Sequence, residues 1–405
     1  MQLTLILHSL RRNKLGALLI GLQIALTLAI VCNSLSIIQQ HLRHMGRPTG
    51  FDEPSLWSLR NQWIGAPGDL KAKVLEDLAA LRSVPGVVDA EVTNSFPMQG
   101  SLWNTDLKLS PTQRFASSQT AVYFADEHGL AAFGVKLAAG RWFTAEEVSD
   151  VHDNETKFPA NVVVTRSLAR ALFPHSNPLG QVVYFGETQP TRIIGIVEQA
   201  QAPFTADTQE GARVGDASFF PFRNLGNDTL YVVRSAPGQS ATAMRIAQDK
   251  LFQLDPQRVM SSVRTFAQVR HSAYAAERKA SVILAVVCGL LLTVTALGVV
   301  GLTSYWVSQR SRYIGMRRAL GARRQDILRY FHLENLIIAG SGALLGVALG
   351  VGANLWLASS FSVTRMSAGF ICGAGGIVLA LCQAAVLWPA LRAASISPAM
   401  AFRNR

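Results

Sequence analysis

Four stretches of this chain run for more than about 20 residues without a single Asp, Glu, Lys or Arg, the length a helix needs to cross a bilayer. They cover residues 15–38, 280–308, 335–358 and 366–391. Tyr305, Trp306, Trp356 and Trp388 stand near their ends, where amphipathic rings favour the membrane–water interface. Arg11, Arg12 and Lys14 before the first stretch suit the n-region of a signal peptide. The apolar run is nevertheless longer than the roughly 7–15 residues of a signal core, and no Ala-x-Ala follows it. Bulky Val31 also makes Cys32 a poor lipoprotein site. An uncleaved anchor is the expectation.

Between the first two spans the pattern changes to mixed helix and strand. Helical spacing of Leu70, Val74, Leu78 and Leu81 predicts a helix over 69–83, ended by Pro85 and Gly86. Further helices are expected over 166–173 and 241–254. Strands are expected over 88–93, 161–164, 181–185, 192–198, 229–234 and 259–264. Residues 200–217, rich in Gln, Ala, Gly, Asp and Thr, read as a long exposed loop. Segments 39–45 and 266–278 are expected to extend the flanking spans outward as a stalk. About 235 residues can bury a core of their own, here as two subdomains.

Charge fixes the orientation. The net charge is +12, but residues 43–278 hold 23 Lys/Arg against 24 Asp/Glu. The remainder holds 15 basic residues and two acids, Asp326 and Glu334, so the excess flanks the spans. Seven arginines crowd residues 309–329, between spans two and three, with Asp326 as the one acid among them. Short basic segments stay cytoplasmic, which places the N-terminus, this loop and the tail with Arg392, Arg403 and Arg405 inside. Residues 39–279 then lie outside the cytoplasm. No basic, aromatic-laced face speaks for nucleic acid. The four cysteines all fall in the spans, so the external segment uses no disulfide.

No G-x-x-x-x-G-K-[ST], H-E-x-x-H, C-x-x-C or G-x-S-x-G occurs, so no catalytic or metal-binding set is expected. His152 with Asp153, and His175, are isolated in polar surroundings. In the spans, Gly342-x-x-x-Gly346-x-x-x-Gly350 and Gly21-x-x-x-Ala25-x-x-x-Ala29 are helix-packing faces, either within the chain or between two copies. Gln23, Asn33, Asn354 and Gln383 are expected to bond across helices as structural glue.

The basic loop contains Ile314-Gly315, then Arg317-Arg318-Ala319-Leu320-Gly321-Ala322, Arg324 and Ile327. Outside it stand Pro85-Gly86-Val87, Ala139-Gly140-Arg141-Trp142-Phe143, Leu172-Phe173-Pro174-His175, Asn177-Pro178-Leu179-Gly180, Ile193-Ile194-Gly195-Ile196-Val197 and the tail Pro389-Ala390-Leu391-Arg392-Ala393. In this order the chain resembles the MacB/FtsX-type permeases of ABC transporters. Tyr313 stands where that family has Glu, a departure that alters a salt bridge at the cytoplasmic interface.

The resemblance implies an α-helical membrane protein with four transmembrane helices, one and then three, and a large α+β periplasmic domain. Residues 1–14 would be cytoplasmic, 39–279 the periplasmic core, 309–334 a cytoplasmic loop with a coupling helix, 359–365 a periplasmic turn and 392–405 a cytoplasmic tail. It also implies the non-catalytic permease subunit of a MacB-like exporter in the inner membrane, without a cofactor of its own. ATP would be bound by a separate cytoplasmic ATPase dimer. The coupling set carried over is Ile314, Gly315, Arg317, Arg318, Leu320, Gly321, Arg323, Arg324 and Ile327. Ile314, Leu320 and Ile327 would be apolar anchors, and the arginines would meet an acidic surface or lipid headgroups. Other implied partners are a second protomer (self or sister), a periplasmic adaptor and an outer-membrane tunnel. Relatives of this architecture suggest two alternatives, control of a cell-wall hydrolase and extraction of lipoproteins.

Overall fold

The computed structural model describes residues 14–65, 68–100, 103–152, 155–186, 189–207, 211–361 and 368–395. Arg11, Arg12, Asp153, Arg365, the tail from residue 396 and the side chain of Arg318 lie outside the described residues. The chain divides into a membrane unit, up to Met45 and from Ala276, and an external unit, Gly46–Ala275.

The first membrane helix, α1, is Lys14–Met45. Its 32 residues rise about 48 Å, against about 30 Å of hydrocarbon, so one helix contains both the span at 15–38 and the 39–45 extension.

The external unit opens with β1 (Leu56–Trp63), α2 (Leu70–Arg82) and β2 (Val87–Thr93). Helix α2 begins where the Asp69 carboxylate accepts from the Ala72 amide at 3.1 Å. Its apolar face carries Val74, Leu78 and Leu81 into the core. It ends at Ser83, before the Pro85-Gly86 turn, where Gly86 takes φ +85°.

The chain then makes a second subdomain before returning. This insertion runs β3 (Asn104–Lys108), β4 (Ser118–Phe124), α3 (Gly129–Phe133), β5 (Leu137–Gly140), β6 (Ser149–His152), β7 (Asn161–Thr165), α4 (Arg166–Leu172), β8 (Val182–Phe185), β9 (Gln189–Val197), β10 (Ala212–Phe220) and β11 (Phe222–Leu225). The return is β12 (Asp228–Ser235), α5 (Ser240–Leu254), β13 (Arg258–Thr265) and α6 (Phe266–Ala273).

Strands β13-β1-β12-β2 form one antiparallel sheet. With α2 after β1 and α5 after β12 this is a split β-α-β arrangement, interrupted by the insertion. Its core packs Trp57, Leu59, Trp63 and Tyr231 with Ala243, Ala247 and Leu251 of α5. The insertion's sheet has the order β5-β9-β7-β10-β4-β3-β8, and β8 pairs again with β9. The sheet therefore closes on itself through β8 and β9, which leaves β8 with no free edge. Its interior holds Leu107, Val122, Val162, Phe185, Ile193 and Phe220, with the Phe185 and Phe220 rings 4.8 Å apart edge to face.

The expected loop over 200–217 is corrected here. Ala200, Gln201 and Ala202 are buried, the Tyr123 hydroxyl donates to the Gln201 carbonyl at 2.7 Å, and from Ala212 the chain is strand β10 between β4 and β7. The polar Gly215-Asp216 step falls in an irregularity of β10, where side-chain hydroxyls take the place of strand partners: Thr165 donates to the Gly215 carbonyl at 2.8 Å and Thr120 to that of Asp216 at 3.4 Å.

The membrane unit continues with α7 (Ala275–Gln309), α8 (Ser311–Ala319), α9 (Arg324–Phe361) and α10 (Ala368–Ala394). The expected outer helix at 266–278 is divided at Tyr274 into α6 and the start of α7. The small-residue faces of α1 and α9 meet within the chain. A Cβ placed on Gly342 would lie 2.6 Å from the Gly21 carbonyl oxygen, and one on Gly346 would lie 2.8 Å from that of Ala25. Gly350 approaches Ala29 at 3.4 Å on the same measure. In lipid this close approach is a main source of helix association.

Polar groups stitch the same bundle. Asn33 Nδ2 donates to the Gly350 carbonyl at 3.1 Å and Gln23 Nε2 to Val294 at 3.2 Å. Thr27 and Thr295 hydroxyls lie 2.7 Å apart, and His332 Nδ1 lies 2.9 Å from Gln383 Oε1.

Candidate coupling site

The basic segment between α7 and α9 is a rigid helical corner. Helix α8 ends in a reverse turn at Leu320-Gly321-Ala322. Gly321 takes φ +97°, and the Ala322 amide reaches back to the Arg317 carbonyl at 3.1 Å. That six-to-one bond with a left-handed glycine is a Schellman stop, the geometry that makes glycine the favoured residue at 321.

Helix α9 starts at once. The Asp326 carboxylate accepts from the Arg323 amide at 2.9 Å, and the Asp326 amide donates to the Arg323 carbonyl at 3.1 Å. Asp326 therefore caps the N-terminus of α9. The sequence segment 324–334, expected as loop, is the first three turns of the helix that also forms span three.

One ion pair ties the corner to the bundle. Arg310 Nη1 lies 3.0 Å from both carboxylate oxygens of Glu334, whose side chain is 2% exposed. The same guanidinium lies 5.9 Å over the Trp306 ring and 3.4 Å from the Tyr330 hydroxyl. Neither Arg310 nor Tyr330 belongs to the expected coupling set. The available signal was Glu334, one of only two acids outside the external segment.

The coupling residues separate by what their side chains touch. Ile314 and Ile327 are buried in the chain's own core with Trp306, Phe331 and Ala394. Gly315 is buried as well. The two isoleucines thus pack within the chain's own core, at the positions where the resemblance implied apolar anchors for a partner. Arg317 is half-buried, its guanidinium 5.0 Å over the Tyr313 ring and 5.9 Å from Tyr330. Tyr313 therefore supplies a cation–π contact one turn before Arg317, where a Glu would supply an i,i+4 ion pair. Leu320 is 84% exposed, Met316 is 50% exposed, and Gly321, Arg323 and Arg324 are exposed. The corner presents an apolar knob beside two cations.

Two family models match this chain. The MacB-like periplasmic core domain covers residues 22–249 and the FtsX-like permease C-terminal domain covers 285–398. The chain belongs to the MacB/FtsX-type ABC permeases. The macrolide export ATP-binding/permease protein MacB of Azoarcus sp. (strain BH72) is 27% identical over 341 residues, covering 82% of this permease and 48% of that protein. The protein of the same name from Chlorobium luteolum is 28% identical over 280 residues, covering 65% and 40%. The permease thus spans about half the length of the curated relatives it matches. The solved periplasmic region of MacB from Actinobacillus actinomycetemcomitans aligns with 55% of the permease and 94% of that chain, at 18% identity and a TM-score of 0.34.

The external unit of the permease buries charge in two places, one within the β13-β1-β12-β2 subdomain and one between β2 and the insertion. Arg258 grips Asp77 through 2.8 and 3.0 Å bonds, and the Tyr231 hydroxyl donates to Asp77 at 2.8 Å. Glu91 on β2 is fully buried. One of its oxygens accepts from the Asp126 amide at 3.2 Å, and the other has no partner. Burial, and then the charge of Asp126, hold the Glu91 carboxyl well above the usual carboxylate range. Arg82 and Arg223 approach the Asp126 carboxylate at 3.6 and 3.7 Å.

Proposed function

We propose that this chain is the non-catalytic permease of a MacB-like exporter in a bacterial inner membrane, driven by a separate cytoplasmic ATPase dimer that grips the α8–α9 corner. The observation that carries this reading is Leu320. A leucine 84% exposed at the tip of a Schellman-capped corner, beside Arg323 and Arg324, matches an acidic groove with an apolar floor. A rigid handle transmits force, and this one is fastened twice, by the buried Ile314 and Ile327 and by the Arg310–Glu334 pair.

Force on the corner reaches the far side of the membrane along continuous helices. Helix α9 runs without interruption from Arg324 through span three, and α1, packed on it, continues to Met45, one residue before the external unit. Two protomers, self or sister, would present two corners to the ATPase pair. The external unit would then change conformation for an adaptor, a tunnel or cargo. Direct passage through the four spans is disfavoured. Mid-depth ionisable groups, the usual marks of an ion or solute path, are absent from their sequences.

The test is isolation of the tagged permease from its native membranes. An ATPase that co-purifies, and is lost from Leu320→Glu while insertion is unchanged, supports the proposal. ATP hydrolysis by the isolated chain alone overturns it.

A further inference from the structure

The α1–α9 seam is closed at Gly342 but open beside it. A groove of about 530 Å³ runs between the two helices, within the range of ligand-sized pockets. Its walls are apolar, with Leu18, Leu22, Ile337 and Leu345 among them, and its floor is the small residues Gly21 and Ser341. Lys14, exposed at the start of α1, is the one charged residue lining it among the described residues. Lys14 stands at the opposite end of α1 from Met45.

Gly21 shows that the opening is not a by-product of packing. A Cβ at Gly342 collides with α1, so glycine is required there. A Cβ at Gly21 meets nothing within 4 Å, so α9 makes no such demand on position 21. What glycine preserves at 21 is empty space in the groove.

We propose that this groove holds one acyl chain of an anionic phospholipid, with the lipid phosphate on the Lys14 ammonium, in the leaflet at the Lys14 end of α1. Apolar walls suit a hydrocarbon chain, and a cation at the membrane surface favours a headgroup carrying net negative charge over a zwitterionic one. Arg11 and Arg12 precede Lys14 in sequence and add to the local positive charge. A second copy fits less well. Two-fold pairing about the membrane normal through this face would bring like-charged Lys14 residues to the same depth. The site stands independently of the coupling role proposed for the corner.

The test is photo-crosslinking of the full chain in nanodiscs, with matched photoactivatable phosphatidylglycerol and phosphatidylcholine probes mapped by peptide. The expected result is preferential phosphatidylglycerol labelling of segments 14–22 and 337–345. Lys14→Gln should lower that labelling about fivefold, the effect of roughly one juxtamembrane cation. Gly21→Leu should lower labelling by both probes while leaving the melting temperature of the detergent-solubilised protein unchanged. Equal labelling by the two probes, or labelling unmoved by both variants, overturns the proposal. Efficient disulfide formation between two copies of Leu22→Cys also overturns it, because a second protomer then occupies the groove.

Discussion

Arg310 and Glu334 form a two-oxygen ion pair at 3.0 Å with the carboxylate 2% exposed, and through it the α7–α8 corner is locked to the helix of span three. Removing the arginine leaves a buried charge without its cation. Arg310→Met should therefore cost about 3–5 kcal/mol, and adding Glu334→Gln should restore most of the loss. Thermal unfolding of the four-member cycle in detergent measures this. Additive single-variant losses would show that the two groups do not act as a pair.

Glycines 346 and 352 lie on one helix, and their environments differ. A Cβ at Gly346 comes within 2.8 Å of the Ala25 carbonyl, whereas one at Gly352 meets nothing within 4 Å. Gly346→Val should destabilise the bundle by about 1–3 kcal/mol through overpacking, and Gly352→Ala should be neutral or slightly stabilising. Comparing the two melting temperatures checks the seam against a helix-propensity effect.

Tyr313 supports Arg317 through its ring, 5.0 Å from the guanidinium. Tyr313→Glu should exchange a cation–π contact for an i,i+4 ion pair and change stability by no more than about 0.5 kcal/mol. Tyr313→Ala removes both options and should free the Arg317 side chain. ATPase stimulation should survive the first substitution and weaken in the second, as read from turnover in reconstituted complex.

Glu91 makes the external unit sensitive to alkali. Its carboxyl titrates well above the ordinary value near 4.5 when folded, so the folded state binds the extra proton. Stability from this group is fully present below the ordinary value and is lost as pH rises through the folded one. Glu91→Gln should match the wild type near pH 4.5 and exceed it increasingly towards pH 8. Unfolding followed at both pH values checks the sign. An equal effect at the two would mean that Glu91 is already ionised in the fold.

The spans were legible because lipid demands long uncharged runs, and the helix-packing faces because small residues recur at a fixed spacing. Helix α2 was legible from its cap and its apolar stripe. Strand β1 was not, although Trp57, Leu59 and Trp63 alternate inward, because polar Asn61 interrupts the apolar series. Strand β10 was hidden by Gly215 and Asp216, which sit in an irregularity of the strand and bond to the Thr165 and Thr120 hydroxyls. At the corner, sequence singled out residues but not the direction of their side chains. Ile314, Leu320 and Ile327 are alike in composition, and only the fold turns two inward and one outward. The Arg310–Glu334 pair joins positions 24 apart, beyond any local spacing rule.

The account turns on the outward surface of the corner. The direct measurement is ATP turnover by the complex in native-membrane nanodiscs, with Leu320→Asp combined with Arg323→Glu and Arg324→Glu in the permease. The account predicts loss of permease-dependent turnover with normal membrane insertion and an unchanged melting temperature, since none of the three side chains is in the core. Turnover equal to that of the unsubstituted complex would contradict it.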